Sequence, residues 1–336
     1  MESIQGPAAM KLLFVVCPCF NEEVVLATFA AHLIRVLNDL TSVPASPGSE
    51  PFRARVVFVD DGSRDETWNV IRSLQEGSQG VAVSGVRLAR NFGHQGAICA
   101  GLDHVMTELG CGETDTVIIM DSDGQHPPEW IPEMMEARCA GFHHVQMIRE
   151  DAKTSGSVAK RFTSPLFYRA FSVLSGLELR PGASDFRAFS GAFLRQYLRF
   201  SETNRFNRGL FVWMGFKTKL IPYRPQARMG GTSSYTLLRM FRLAVLGITY
   251  FSSRPLMITT GLITGGGFLL CGTYILLEFI KFLRGAHYVA GWPTILFIVT
   301  LWGSLISLNQ WILSAYVARI FDEVKRRPSY VVEEVL

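Results

Sequence analysis

Two long stretches without a charged side chain set the strongest limit on how this sequence can fold. Pro255–Leu277 carries no Asp, Glu, Lys or Arg, and neither does Gly285–Ala318. Each exceeds the roughly 20 apolar residues that cross the hydrocarbon of a bilayer. Two such runs side by side argue against a buried core helix, so transmembrane helices are expected at about 255–280 and 291–318. Gly261, Gly265, Gly266 and Gly267 in the first would let helices pack closely. Basic residues flank the pair: Arg239, Arg242 and Arg254 before it, Lys281 and Arg284 in the connector, Arg319, Lys325, Arg326 and Arg327 after it. The charge at the two outer ends places residues 1–234 and the tail, 319–336, on the cytoplasmic side. Residues 235–254, mostly apolar with three arginines, read as an amphipathic helix in the headgroup layer.

The part before the spans has a different pattern. Leu12–Cys17, Arg55–Asp60, Val81–Leu88 and Thr116–Asp121 are short strand-like runs, and "HHVQMI" before Arg149 is a fifth. Helical patterns lie between them at Glu22–Leu40, Asp65–Glu76 and Gln95–Leu109. The N-terminal apolar run is short and meets Asn21-Glu22-Glu23, so it reads as a first strand and not a signal peptide. Strand–helix alternation predicts an α/β domain with a mostly parallel sheet and helices on both faces. Six cysteines lack zinc-ligand spacing and are expected as buried thiols. A net charge of +4 without blocks of like charge does not point to nucleic acid.

In such sheets, ligands bind beyond the carboxyl ends of the strands. Those ends are polar here: Pro18, Phe20, Asn21 and Glu22; Asp60, Asp61, Gly62 and Ser63; Arg90, Asn91 and Gly93; Asp121 and Asp123. Any one group suits a helix cap or turn. Four at one edge point to a site. Asp121 and Asp123, one residue apart on an extended segment, face the same way. A shared cation would relieve their repulsion, and an all-oxygen set favours Mg²⁺ or Mn²⁺. A calcium loop does not fit, because its glycine position would be His126 and its closing glutamate Pro132. A cation with few protein ligands completes its shell with substrate phosphates, which predicts a nucleotide-diphosphate site. Neither a P-loop nor a GxGxxG after the first strand is present.

"CPCFNEE", "VDDGSRDET", "LARNFGHQGAICAGLD" and "MDSDGQHPPE" resemble, in order and spacing, the motifs of family 2 glycosyltransferases of the GT-A fold. "GASDFRAFS", "RFNRGLFVWMGF", "RMGGTSSY", the two spans and "DEVKRRPSYVV" extend the resemblance to the polyprenyl-phosphate glycosyltransferases, over roughly residues 11–332. The resemblance implies a nucleotide-diphosphate sugar donor, UDP-linked more than GDP-linked, and a polyprenyl phosphate acceptor. It also implies an integral protein of a bacterial inner membrane and a homotetramer. Carried onto this sequence, Pro18, Phe20, Asn21 and Glu22 would border the donor's base and ribose. Asp60 would hold the base, with Asp61 and Ser63 nearby. Asn91 would lie near the diphosphate and Asp121 near the ribose or sugar. Asp123 and Gln125, with Asp121, would hold the metal; Asp123 and Asp185 are the catalytic candidates. Arg149, Arg161 and Arg228 would meet the acceptor phosphate.

Two positions depart from the family pattern. His94 stands where relatives often have Lys, and as a histidine is expected to reach neutrality near pH 7. Ser234 replaces another Lys. A processive polysaccharide synthase would carry a Q-x-x-R-W segment, absent here, and more spans. A silent nucleotide-sugar-binding scaffold would have little use for the Asp121, Asp123 and Gln125 set. A flippase reading lacks charged residues within the spans.

Overall fold

The computed structural model describes residues 11–42, 52–78, 80–150, 172, 176, 180–202, 205–226, 252, 254–284 and 291–336. They fall into two compact units, one built on a sheet and one on two long helices. The sheet holds β1 (Lys11–Cys19), β2 (Phe52–Asp60), β3 (Ala82–Leu88), β4 (Thr116–Ile119), β5 (His144–Arg149), β6 (Ala183–Ser190), β7 (Thr218–Tyr223) and β8 (Val332–Val335). Their spatial order is β7-β5-β6-β4-β1-β2-β3-β8. Six of the eight run in one direction, while β6 and β8 pair antiparallel to their neighbours. The α/β class and mostly parallel sheet expected from the sequence are therefore observed.

The central strands are apolar without alternation because both faces are covered. Leu13–Cys17 in β1 and Val56–Val59 in β2 are fully buried. Register then aligns the polar ends: Cys19 lies opposite Asp60, Asp60 opposite Arg87, and Val16 opposite Ile119. Order reverses at β1, whose successor β2 lies on one side and β4 on the other. That crevice is the place where open α/β sheets bind ligands.

Helices cover the sheet. Helix α1 (Glu23–Ser42) buries Leu26, Phe29, Ala30, Leu33 and Leu37. It is long and apolar enough to cross a membrane, yet that spacing is one helical face laid on the core. Helix α2 (Thr67–Gly77) follows β2, and α3 (His94–Thr107) follows β3. Pro128 opens a 3-10 turn, Pro128–Trp130, leading into α4 (Ile131–Cys139), as its fixed φ favours. Two short helices, α5 (Gly191–Leu198) and α6 (Asn207–Trp213), come after β6. Cys17, Cys19, Cys99 and Cys111 are buried as expected, but Cys139 is exposed.

The second unit holds α7 (Arg254–Leu283) and α8 (Trp292–Lys325). By length and composition both could cross a bilayer. Helix α8 runs on past Ala318, where the apolar run stops, to Lys325. Gly267 permits the pair to approach: a Cβ there would sit 1.7 Å from the Trp302 ring. Thr260 donates to Asn309 Oδ1 across the pair at 2.9 Å. The amphipathic segment falls almost wholly outside the described residues, as do Arg161, Arg228 and Ser234.

The tail is more than a tail. Its last residues return to the first unit as β8, with Val335 opposite Val86 and Val332 opposite Leu88. Tyr330 donates to Asp103 Oδ2 on α3 at 2.6 Å, and Trp68 Nε1 donates to Glu334 at 3.0 Å. Helix α3 is itself pressed on the sheet at Gly101. A Cβ there would lie 2.4 Å from Val16 Cγ1 and 2.8 Å from Val59 Cγ2. Gly101→Ala is expected to destabilise the protein by about 1–3 kcal/mol through overpacking, read as a lower melting temperature in detergent; an unchanged melt would mean that α3 does not seat this closely.

Candidate active site

Polar strand ends stay in place because they bind one another. Asn21, at φ 54°, donates its N–H to Ser63 Oγ and accepts from Arg64 N–H, both at 2.9 Å. Asp61 Oδ1 accepts the Phe92 N–H at 2.7 Å, which ties the loop after β2 to the loop after β3. Gly62, at φ 65°, is needed there, since a Cβ would meet the Arg90 backbone at 2.4 Å. Ser122 Oγ lies 2.9 Å from the Pro18 carbonyl and 2.5 Å from Glu22 Oε2, which joins the end of β4 to that of β1. Pro18 is buried, while Phe20 and Asn91 are exposed. Asp60 is wholly buried; its Oδ1 accepts the Ser63 N–H at 3.0 Å, and its Oδ2 has no hydrogen-bond partner. Burial pushes the Asp60 and Asp61 carboxyls up, partly offset by hydrogen bonds from Ser63 and from the Phe92 and Gly93 backbone.

Asp185 lies near the start of β6. Because β6 runs antiparallel, its start meets the same edge as the ends of β4 and β5. Arg208 on α6 grips Asp185 with two bonds, at 3.1 and 2.8 Å, and Arg187 adds a third at 3.1 Å. His94 Nε2 stands 3.5 Å from Asp185 Oδ2 and 3.5 Å from Asp121 Oδ1, a cationic bridge between two loops. Burial alone would raise the Asp185 carboxyl, but Arg208, His94 and Arg187 hold it well below the usual carboxylate range. Desolvation would lower His94, yet Asp185 and Asp121 lift it to about 9. These two carboxylates favour a charged imidazole at His94 over the neutral one expected from the sequence.

His126 finds a role here. Its Nδ1 accepts the Asp121 N–H at 2.8 Å, so a neutral ring carries its proton on Nε2, 3.6 Å from Asp121 Oδ2. Desolvation lowers its pKa and favours that neutral form. The ring is clamped between Phe186, stacked at 5.0 Å, and Tyr223, edge-on at 6.2 Å. His126 therefore orients Asp121.

Asp123 accepts from Gln125 twice, at backbone N and at Nε2, both 3.0 Å. Arg149, expected at the acceptor, donates to Gln125 Oε1 at 3.2 Å and so stands beside this corner. Asp121 Oδ1 is buried without a hydrogen-bond partner. That oxygen, 3.5 Å from His94 Nε2, and the Asp123 carboxylate are of the type a hard divalent cation takes, and Gln125 Oε1 would join them by leaving Arg149. Among the described residues no group of three His, Cys, Asp or Glu surrounds one point, so other ligands would come from substrate or water.

Residues 14–200 match the family model described as glycosyl transferase family 2. The chain belongs to that family. This glycosyltransferase is 34% identical to the uncharacterised glycosyltransferase YkoT of Bacillus subtilis, over 97% of this chain and 92% of the relative. It is 31% identical to the prophage bactoprenol glucosyl transferase homolog of Escherichia coli, over 97% and 99%, and to the SfII prophage-derived bactoprenol glucosyl transferase of Shigella flexneri, over 97% and 98%. Among solved structures, the Pyrobaculum calidifontis mannosyltransferase in complex with GDP-Man and Mn²⁺ aligns at 15% identity, covering 94% and 88%, with a TM-score of 0.47.

Sequence reading missed Arg208 as the clamp of this glycosyltransferase, as well as the pairing of His94 with two carboxylates. Arg208 is 23 residues from Asp185, and no periodicity links them. His94→Gln is expected to lower turnover on the order of tenfold, the effect of losing one charged contact, whereas His94→Lys restores the bridge and keeps most activity. Equal loss in both variants would remove the bridge from the account.

Proposed function

We propose that this glycosyltransferase moves a single sugar, glucose from a UDP-linked donor as the first choice, onto polyprenyl phosphate at a membrane surface. The observation that carries this reading is the oxygen-lined corner of Asp121, Asp123 and Gln125 at the end of β4, with the orphaned Asp60 Oδ2 at the end of neighbouring strands. Relatives named bactoprenol glucosyl transferases over nearly the whole chain support the lipid acceptor and the sugar. Helices α7 and α8 would cross the bilayer and keep the catalytic unit where a lipid phosphate can reach it.

Asp60 would accept a hydrogen bond from an N–H of the donor base, with Phe20 and Asn21 at the rim. Asp121, Asp123 and Gln125 would hold Mg²⁺ or Mn²⁺. When bound, that ion supplies neutralisation of the charge that develops on the departing nucleotide diphosphate. An acceptor phosphate oxygen forms the new bond to the anomeric carbon as the bond to the nucleotide diphosphate breaks on the opposite face, inverting that carbon. A phosphate monoester is largely dianionic at neutral pH, its second pKa being about 6. It needs no strong base, and Asp185, pinned in its ionised form, is a poor one. Asp185 instead holds Arg208 and His94 beside the reacting groups, with Arg149 as a further cation and Arg161 and Arg228 kept as acceptor-phosphate candidates.

Membranes containing the protein are expected to convert labelled polyprenyl phosphate to a glycolipid with UDP-glucose ahead of other UDP- and GDP-sugars. Chelation should abolish the product, with Mn²⁺ or Mg²⁺ restoring it, and Asp123→Asn should cost about a hundredfold or more in kcat. Absence of transfer from every donor in the panel, or product formation unchanged by chelation, would overturn the proposal.

A further inference from the structure

Arg87 on β3 lies opposite Asp60 in the β2–β3 register, so both side chains share one face of the sheet. Its Nε is 3.7 Å from Asp60 Oδ2 and 3.4 Å from Glu333 Oε2, a residue of β8. The first distance is too long for a hydrogen bond, and Arg87 Nε, like Asp60 Oδ2, has no hydrogen-bond partner. One guanidinium is thus pulled by two carboxylates, a wholly buried one on the donor side and a half-exposed one from the C-terminal strand. The rest of the assembly keeps it there. The guanidinium carbon lies 5.9 Å from the Trp68 ring centroid. Trp68 Nε1 donates to Glu334 Oε2, and Arg72 pairs with Glu334 Oε1 at 3.0 Å.

We propose that Glu333 and Arg87 are positioning residues for the donor site: Glu333 holds Arg87 back from Asp60, leaving Asp60 Oδ2 near a cation yet free to accept from the donor base. This rests on the reading that Asp60 binds the base. Without the Glu333 charge, Arg87 closes the gap and saturates Oδ2, and the donor must displace it. Donor affinity then depends on a strand about 270 residues along the chain from Asp60.

The test uses the full-length protein in membranes, with donor and acceptor varied separately. Glu333→Gln is expected to raise donor KM roughly two- to fivefold, the scale of a partly exposed ion pair, with kcat and acceptor KM unchanged. In an Arg87→Met background the same substitution should have no further effect. Asp60→Asn separates the two readings. If it raises donor KM while Glu333→Gln does not, the positioning role is overturned and the base-binding role of Asp60 stands. If Asp60→Asn leaves donor KM unchanged, the base-binding reading itself fails. A fall in melting temperature together with kcat in Glu333→Gln would assign the residue to strand docking alone and overturn the proposal.

Discussion

The polar edge is organised around one buried carboxylate, Asp185, held ionised where water is scarce. Asp185 and Arg187 are almost completely buried, and a buried ion is tolerated only with close partners. Arg208, Arg187 and His94 surround Asp185 from α6, from β6 itself and from the start of α3. Removing one partner of such a set typically costs about 3–5 kcal/mol, because the remaining charge stays buried. The network therefore fastens three elements that are far apart in the chain, and the carboxylate at its centre is a structural anchor as much as a chemical group.

That anchoring decides the chemistry open to the site. A carboxylate held well below its usual range is a poor proton acceptor, which on the proposed reading leaves Asp185 to hold charge in place. His94, cationic between Asp185 and Asp121, connects the anchor to the corner suited to a divalent ion. His126 serves the same corner in the opposite electrical state, neutral and stacked in the core. Two histidines that both neighbour Asp121 are thus separated by their surroundings: a second carboxylate, Asp185, beside His94, and deep burial against aromatic rings around His126.

Much of the fold was legible because parallel strands covered on both faces leave continuous apolar runs, as in Leu13–Cys17 and Val56–Val59. Their polar ends could be read as one edge because register in a parallel sheet aligns them. The carboxylates and Gln125 stood out by type and spacing. What escaped was long-range or two-sided. Arg208 is paired only through the return of α6. Strand β8 is four residues long with two glutamates among its four residues, and nothing local tells it from a tail; its partners, Trp68, Arg72 and Arg87, lie at the far side of the sequence.

The position of β8 has a consequence for biogenesis. Strand β3 pairs with β2 on one side, and among the described residues its other edge is covered by β8. During translation that edge stays open for roughly 240 further residues, about 12–50 s at ordinary elongation rates. An unpaired strand edge is a template for pairing with other chains. Helices α7 and α8 emerge within that interval, so the catalytic sheet is completed only after both long apolar helices have been made. The strand that closes this edge is therefore the last element of the described chain to be synthesised.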